Sequence, residues 1–129
     1  TSLSEQELVS CDHPRSDGCD GGYTGETMGW LVREHEGWIT SERDYPYVSG
    51  NGRNPECRLP KPRAAHIRGH VGVEHDEHQM AAYLERHGPL SICVDANTWQ
   101  TYTGGIMTHC PKQDVDHCVL LVGYNFEHE

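Results

Sequence analysis

Asp116-His117-Cys118-Val119-Leu120-Leu121-Val122-Gly123-Tyr124 places a polar Asp-His pair at the mouth of an apolar, strand-like run. A histidine at the end of a strand is well placed to move protons, because imidazole is the side chain whose charge changes near neutral pH. Taken alone, the pattern fits a core histidine with a satisfied hydrogen bond at least as well as it fits a catalytic one. A second motif changes the balance. Cysteine recurs among glycines in Ser10-Cys11-Asp12 and Gly18-Cys19-Asp20-Gly21-Gly22-Tyr23, directly before a helical pattern. Glycine pairs let a backbone come close to a ligand. Trp99-Gln100-Thr101-Tyr102-Thr103-Gly104-Gly105-Ile106-Met107 follows, then Cys110, then the Asp116-His117 strand.

Composition narrows the function class. The 129 residues hold ten Lys and Arg against twenty Asp and Glu, a net charge of −10 with ten histidines uncounted. So acidic a surface argues against nucleic acid or an anionic membrane as partner. Full protonation of the ten histidines would cancel that charge as pH falls through the imidazole range. A protein that is anionic at neutrality and nearly neutral in an acidic, lysosome-like compartment is therefore expected. Six cysteines suggest an oxidising compartment, lysosomal or secreted. No apolar run reaches the about 20 residues of a membrane span. No charged-then-apolar leader stands at Thr1, and the residues after Asn51, Asn97 and Asn125 complete no glycosylation sequon. Cys11, His13, Cys19, His66, His70, His75 and His78 are potential zinc ligands, but their spacing fits no closed Cys/His site, so no metal and no cofactor is expected.

Three helices and three strands are legible. Ser4-Glu5-Gln6-Glu7 is a capping-box pattern opening a short helix to about Ser10. From Thr24 to Glu36, Met28, Leu31 and Val32 recur at helical spacing, ending at Gly37. A third helix is predicted to start at Asp76, bury Met80, Ala81 and Leu84, and close at Gly88-Pro89. Between the second and third lies a loop-rich tract, Asp44 to Arg63, punctuated by proline and glycine. Strands are predicted at Ile67 to Val73, Leu90 to Asp95 and His117 to Tyr124. Helices first and strands later indicate an α+β chain.

In chain order, the glycine-flanked cysteine, the Trp99–Met107 segment and the Asp116-His117 strand resemble a papain-family cysteine peptidase. Leu3-Ser4-Glu5-Gln6-Glu7-Leu8-Val9-Ser10-Cys11, Asp44-Tyr45-Pro46-Tyr47, His87-Gly88-Pro89-Leu90 and Leu121-Val122-Gly123-Tyr124 fall in the same family order, so the resemblance covers essentially all 129 residues. It is strongest toward the cathepsin-L-like branch. Tyr47-Val48-Ser49-Gly50-Asn51-Gly52 with Tyr102-Thr103-Gly104-Gly105 is similar to the cruzipain-type enzymes of kinetoplastids.

The resemblance implies a papain-like, two-lobed α+β fold truncated at both ends, with residues 1–66 as the remainder of the helical lobe and 67–129 as part of the β-rich lobe. It implies His117 as the catalytic acid and base. Members of the family place this histidine about 130–150 residues after the nucleophilic cysteine, which puts the nucleophile roughly 15 to 35 positions before Thr1. The oxyanion glutamine and the Asn-Ser-Trp segment that orients the imidazole are likewise expected outside these residues. The fragment alone is therefore expected to be inactive, its complete parent a cysteine endopeptidase acting on proteins or peptides, with a propeptide and cystatin-like inhibitors as further partners. Gly21 and Gly22 match the glycines whose backbone pairs with an extended substrate. Tyr23, Thr24, Ser91, Ala96 and Val115 match the walls of the pocket for the second residue before the cleaved bond, and favour a bulky apolar or aromatic side chain there. Trp99 matches the aromatic on the leaving-group side, and Asp116 shapes the surroundings of His117. Cys11 pairs with Cys57 by the same resemblance, while Cys19 and Cys110 pair outside the chain. Cys93 and Cys118 match no family bridge and are expected as buried free thiols. Cys118 stands where the family carries glycine or alanine, and strand alternation turns its sulfur away from His117.

Two other classes remain open: a catalytically dead, peptide-binding relic of the same fold, and a structural acidic domain. A missing central helix would uncover apolar residues around Leu31, Val32, Leu120 and Val122, so the isolated fragment is expected to have little stability of its own.

Overall fold

The computed structural model describes residues 1–13, 16–110 and 114–127. The chain divides into two compact units, Thr1–Val71 and Gly72–Glu129.

In the first unit, α1 (Glu5–Cys11) starts where Ser4 caps it: the Ser4 Oγ accepts the Glu7 N–H at 3.0 Å and donates to the Tyr45 carbonyl at 2.7 Å. Only half of the expected capping box forms. The Glu7 carboxylate accepts the Thr40 N–H at 2.7 Å, and the Ser4 N–H donates to the Thr40 carbonyl at 3.0 Å. A strand edge was within reach, and it took both groups that would otherwise have closed on each other. Gln6, fully buried, donates from Nε2 to Ser10 Oγ and Ser49 Oγ and accepts the Val48 N–H at Oε1. Its amide is satisfied, so α1 is fastened to the 45–49 segment without a stranded polar group.

Trp30 and Leu31 of α2 (Thr24–Glu34) and Ile39 of β1 (Trp38–Ile39) form the core, with Leu8, Cys11, Ala65 and Ile67 packed around them. Each large side chain so buried contributes about 1.5–3 kcal/mol. Leu31 is thus covered within its own unit, contrary to the expectation that a missing helix leaves it open. α2 ends at Glu34, and Gly37, at φ +77° in the turn that follows, stands where a Cβ would meet the Ile67 carbonyl, so only glycine fits the turn into β1. Cys11 and Cys57 are joined by a disulfide. β1 pairs antiparallel with β2, which is Ala65–His66 rather than the predicted 67–73. Its partner offers only two residues, and beyond them the exposed tract around Gly69 and Gly72 pairs with no strand among the described residues.

The second unit opens with α3 (Glu77–His87), whose cap Asp76 accepts the Gln79 N–H at 2.9 Å and whose end is Gly88 at φ +95°. Ala81 is its buried residue, with Met80 and Leu84 half-buried. β3 (Leu90–Val94) and β4 (His117–Leu121) then pair antiparallel, Leu90 opposite Leu121 and Val94 opposite His117. β4 stops short of Tyr124 because β3 supplies five partners and no more. Leu120 and Val122 are exposed.

Glu7 gives a test of this packing. Burial raises its pKa above the ordinary 4.5, while the Thr40 N–H and the His35 charge lower it less. A raised carboxylate favours the folded state fully below 4.5, and that contribution is lost as pH rises through the raised value. Glu7→Gln keeps an acceptor for Thr40 and removes the charge. In the full-length protein its stability relative to wild type, read as a urea midpoint, is expected to be greatest near neutrality and to shrink below 4.5. An equal difference at both pH values would contradict the assignment.

Candidate active site

Asp116 organises the site in the second unit. Its N–H donates to the Val94 carbonyl at 3.0 Å, and its Oδ1 accepts the Ala96 N–H at 2.8 Å, tying the turn after β3 to the head of β4. The Ala96 carbonyl in turn accepts the Trp99 N–H at 2.9 Å, which fixes the 3-10 turn Trp99–Thr101. That turn sets the indole edge-on to His117, ring centroids 6.1 Å apart at 88°. One carboxylate thus positions, through its bond to the Ala96 N–H and the backbone bond from Trp99 to Ala96, the aromatic ring beside the histidine.

His117 is exposed, and among the described residues neither ring nitrogen has a hydrogen-bond partner. A solvent-facing imidazole held by its strand and flanked by an indole can take a proton from one group and hand it to another. Val115, just ahead of Asp116, is 61% exposed, and Ser91 lies exposed on β3 opposite Leu120. His117, Trp99, Asp116, Ala96, Ser91 and Val115 therefore all stand on β3, β4 and the segments that adjoin them.

Gly21, Gly22, Tyr23 and Thr24 belong to the first unit. The Gly21 carbonyl accepts the Asp17 N–H at 2.9 Å and its φ is +117°. Gly22 makes no backbone hydrogen bond among the described residues and is exposed, leaving its N–H and C=O open to an added strand. A Cβ on Gly22 would come within 2.8 Å of the Ser16 Cβ, so a side chain there is resisted. Tyr23 is 73% exposed, and Thr24 begins α2.

The expectation for Cys93 and Cys118 is corrected. They are not free thiols but a disulfide, formed because antiparallel register puts them directly opposite each other on β3 and β4. Nor are they deeply buried, since Cys93 is exposed and Cys118 half-buried. The signal was in the sequence: two cysteines without family partners, one on each of two strands able to pair. Bonding to Cys93 also removes Cys118 from any nucleophilic duty, because a disulfide sulfur is no thiolate. Cys19 and Cys110 remain free, and the Cys19 thiol faces the Ser49 and Arg53 carbonyls. Among the described residues no three His, Cys, Asp or Glu side chains converge as a metal cage, and no helix is long and apolar enough to cross a membrane.

The model of the papain family cysteine proteases matches residues 1–129. A cysteine proteinase of Trypanosoma brucei brucei is 49% identical over 125 residues, 96% of this chain and 28% of the relative. Cysteine proteinase A of Leishmania mexicana is 43% identical over 124 residues, 96% of this chain and 35% of the relative. Among solved structures, digestive procathepsin L2 proteinase from Tenebrio molitor larval midgut superposes with a TM-score of 0.86 at 32% identity, covering 99% of this chain and 40% of that one. A Carica candamarcensis cysteine protease gives 0.78 at 31% identity, covering 95% and 56%. The chain thus spans about a third of the curated relatives it matches, and it has the papain-like fold over that span. It belongs to the papain family of cysteine proteases.

Proposed function

We propose that this chain is the histidine-bearing segment of a cysteine endopeptidase that cleaves protein or peptide chains by thiolate attack. His117 accepts the thiol proton, the thiolate attacks the carbonyl carbon, and the imidazolium returns the proton to the departing amine. Water then releases the acyl group and regenerates the thiol. The observation that carries this reading is the exposed imidazole at the head of β4, fixed beside Trp99 by the Asp116–Ala96 link.

The attacking thiol comes from outside residues 1–129. Of the six cysteines, four are bridged, Cys19 is turned toward two carbonyls, Cys110 is an exposed free thiol, and among the described residues no thiol is hydrogen-bonded to His117. Residues 1–129 alone therefore bind without cutting. In the first unit Gly22 leaves an open main-chain edge of the kind an extended peptide pairs with. In the second unit Ser91, Ala96 and Val115 are, by family resemblance, the residues for the second side chain before the scissile bond. The lobes divide at about residue 66, near the change between the two compact units. The acidic composition and the disulfides support a lysosome-like or secreted setting, where a propeptide and cystatin-like proteins are the expected partners of the whole enzyme.

The full-length protein, expressed with any propeptide its gene encodes, is expected to cleave a fluorogenic dipeptide carrying Leu or Phe in the second position, and to lose that activity to a thiol-reactive epoxide. A full-length product that binds the peptide but leaves it intact would identify a catalytically dead relic instead.

A further inference from the structure

Glu7 is a carboxylate taken out of water with only half of its oxygens engaged. The residue is 2% exposed, and its Oε2 accepts the Thr40 N–H at 2.7 Å. Among the described residues Oε1 has no hydrogen-bond partner, and no Lys, Arg or His forms an ion pair with the group. Removing a carboxylate from water is costly unless donors or a cation meet it, and burial accordingly holds the Glu7 pKa above its ordinary value. Thr40 repeats the pattern. It too is 2% exposed, its N–H and C=O are taken by Glu7 and Ser4, and its Oγ1 is buried without a partner among the described residues.

Both residues line one cavity of about 350 Å³ in the first unit, a volume within the range of small-molecule sites. Ile39, Leu59, Pro60 and Pro62 give it apolar walls. The two permanent cations that line it are engaged elsewhere: Arg63 pairs with Glu36 at 2.7 Å and lies over the Trp38 ring, while Lys61 lies over the Tyr45 ring at 5.3 Å. His35, also a lining residue, sets its ring against Trp30 at 4.3 Å. Glu34 and Glu36 add negative charge to that of Glu7, so an anion is repelled.

We propose that this cavity binds a small primary amine as its ammonium ion, with Glu7 Oε1 and Thr40 Oγ1 accepting its N–H groups and the apolar walls enclosing a short hydrocarbon or aromatic body. An ammonium is a compact charge with three donors that rotate to meet separate acceptors. A guanidinium is a poorer match, because it binds best to both oxygens of one carboxylate side by side, and Oε2 is already engaged by Thr40.

The test is calorimetric titration of the full-length protein at neutral pH with 2-phenylethylammonium chloride and with 2-phenylethanol, its neutral counterpart. The amine is expected to bind with one equivalent and at least about tenfold more tightly than the alcohol, since hydrogen bonds between charged groups are the stronger kind. Glu7→Gln keeps an acceptor for the Thr40 N–H and removes the charge. Its affinity for the amine is expected to fall by about tenfold or more, with little change for the alcohol. No binding of the amine, equal affinity for amine and alcohol in wild type, or an affinity unaltered by Glu7→Gln would each overturn the proposal. The first two readings use wild type alone, so a Glu7→Gln chain that failed to fold would still leave the question answered. Peptide cleavage is not part of the readout, and the result is therefore independent of the peptidase reading.

Discussion

Replacing His117 by alanine in the full-length enzyme is expected to lower kcat for peptide cleavage by about 10²–10⁴-fold, the contribution of a positioned general acid and base. The loss should fall on kcat with little change in KM, because the role proposed for His117 is on the reacting atoms and not in holding the peptide. Reactivity toward a thiol-reactive epoxide should fall in parallel, since the same imidazole generates the thiolate. Asp116→Ala is the companion measurement. It removes the carboxylate that holds Ala96, and through Ala96 the turn bearing Trp99, so activity should fall while His117 itself remains. A His117→Ala enzyme with wild-type kcat would remove His117 from the chemistry.

Loss of the Cys11–Cys57 bridge is the largest stability change expected. The two cysteines are 46 residues apart, and closing a loop of that length restricts the unfolded chain by about 4 kcal/mol. The bridge joins the end of α1 to the loop-rich tract, which otherwise leans on Gln6, Ser4 and the Tyr45 hydroxyl that accepts the Arg58 N–H at 3.0 Å. Cys11→Ala/Cys57→Ala preserves the apolar contact of residue 11 with the Trp30 cluster and deletes the crosslink alone. In the full-length protein a stability loss near that figure, read from urea unfolding, is the expected outcome. A loss under about 1 kcal/mol would mean that the tract is held by its hydrogen bonds rather than by the bridge.

The helices were the most legible part of the fold, because their signals are local. Asp76 caps α3 as its side chain and position suggest and Gly88 ends it, while α2 begins at Thr24 as predicted but ends at Glu34, two residues short of the predicted Glu36. Strand extents were less legible because pairing is a property of two segments. The run from Ile67 to Val73 has strand-like residues, yet only Ala65 and His66 pair, and β4 ends where β3 ends. The destination of the Glu7 carboxylate was hidden for the same reason: its partner Thr40 lies 33 residues away.

His117, Asp116 and Trp99 are proposed for the site from residue type and order, and the structure adds the hydrogen bonds that link Asp116 through Ala96 to the Trp99 turn. The Cys93–Cys118 bridge was missed because the family supplied no precedent for it, although antiparallel register makes the two residues direct neighbours. Family resemblance points to residues that relatives share. A pair peculiar to one chain has to be found from its own strand register.

The most direct test of the central claim is to locate the adduct of a thiol-reactive epoxide peptide on the full-length protein by mass spectrometry, in wild type and in His117→Ala. A single adduct on a cysteine outside residues 1–129, formed rapidly in wild type and slowly in the variant, is the predicted result. An adduct on Cys19 or Cys110, or one whose rate does not depend on His117, would contradict the account.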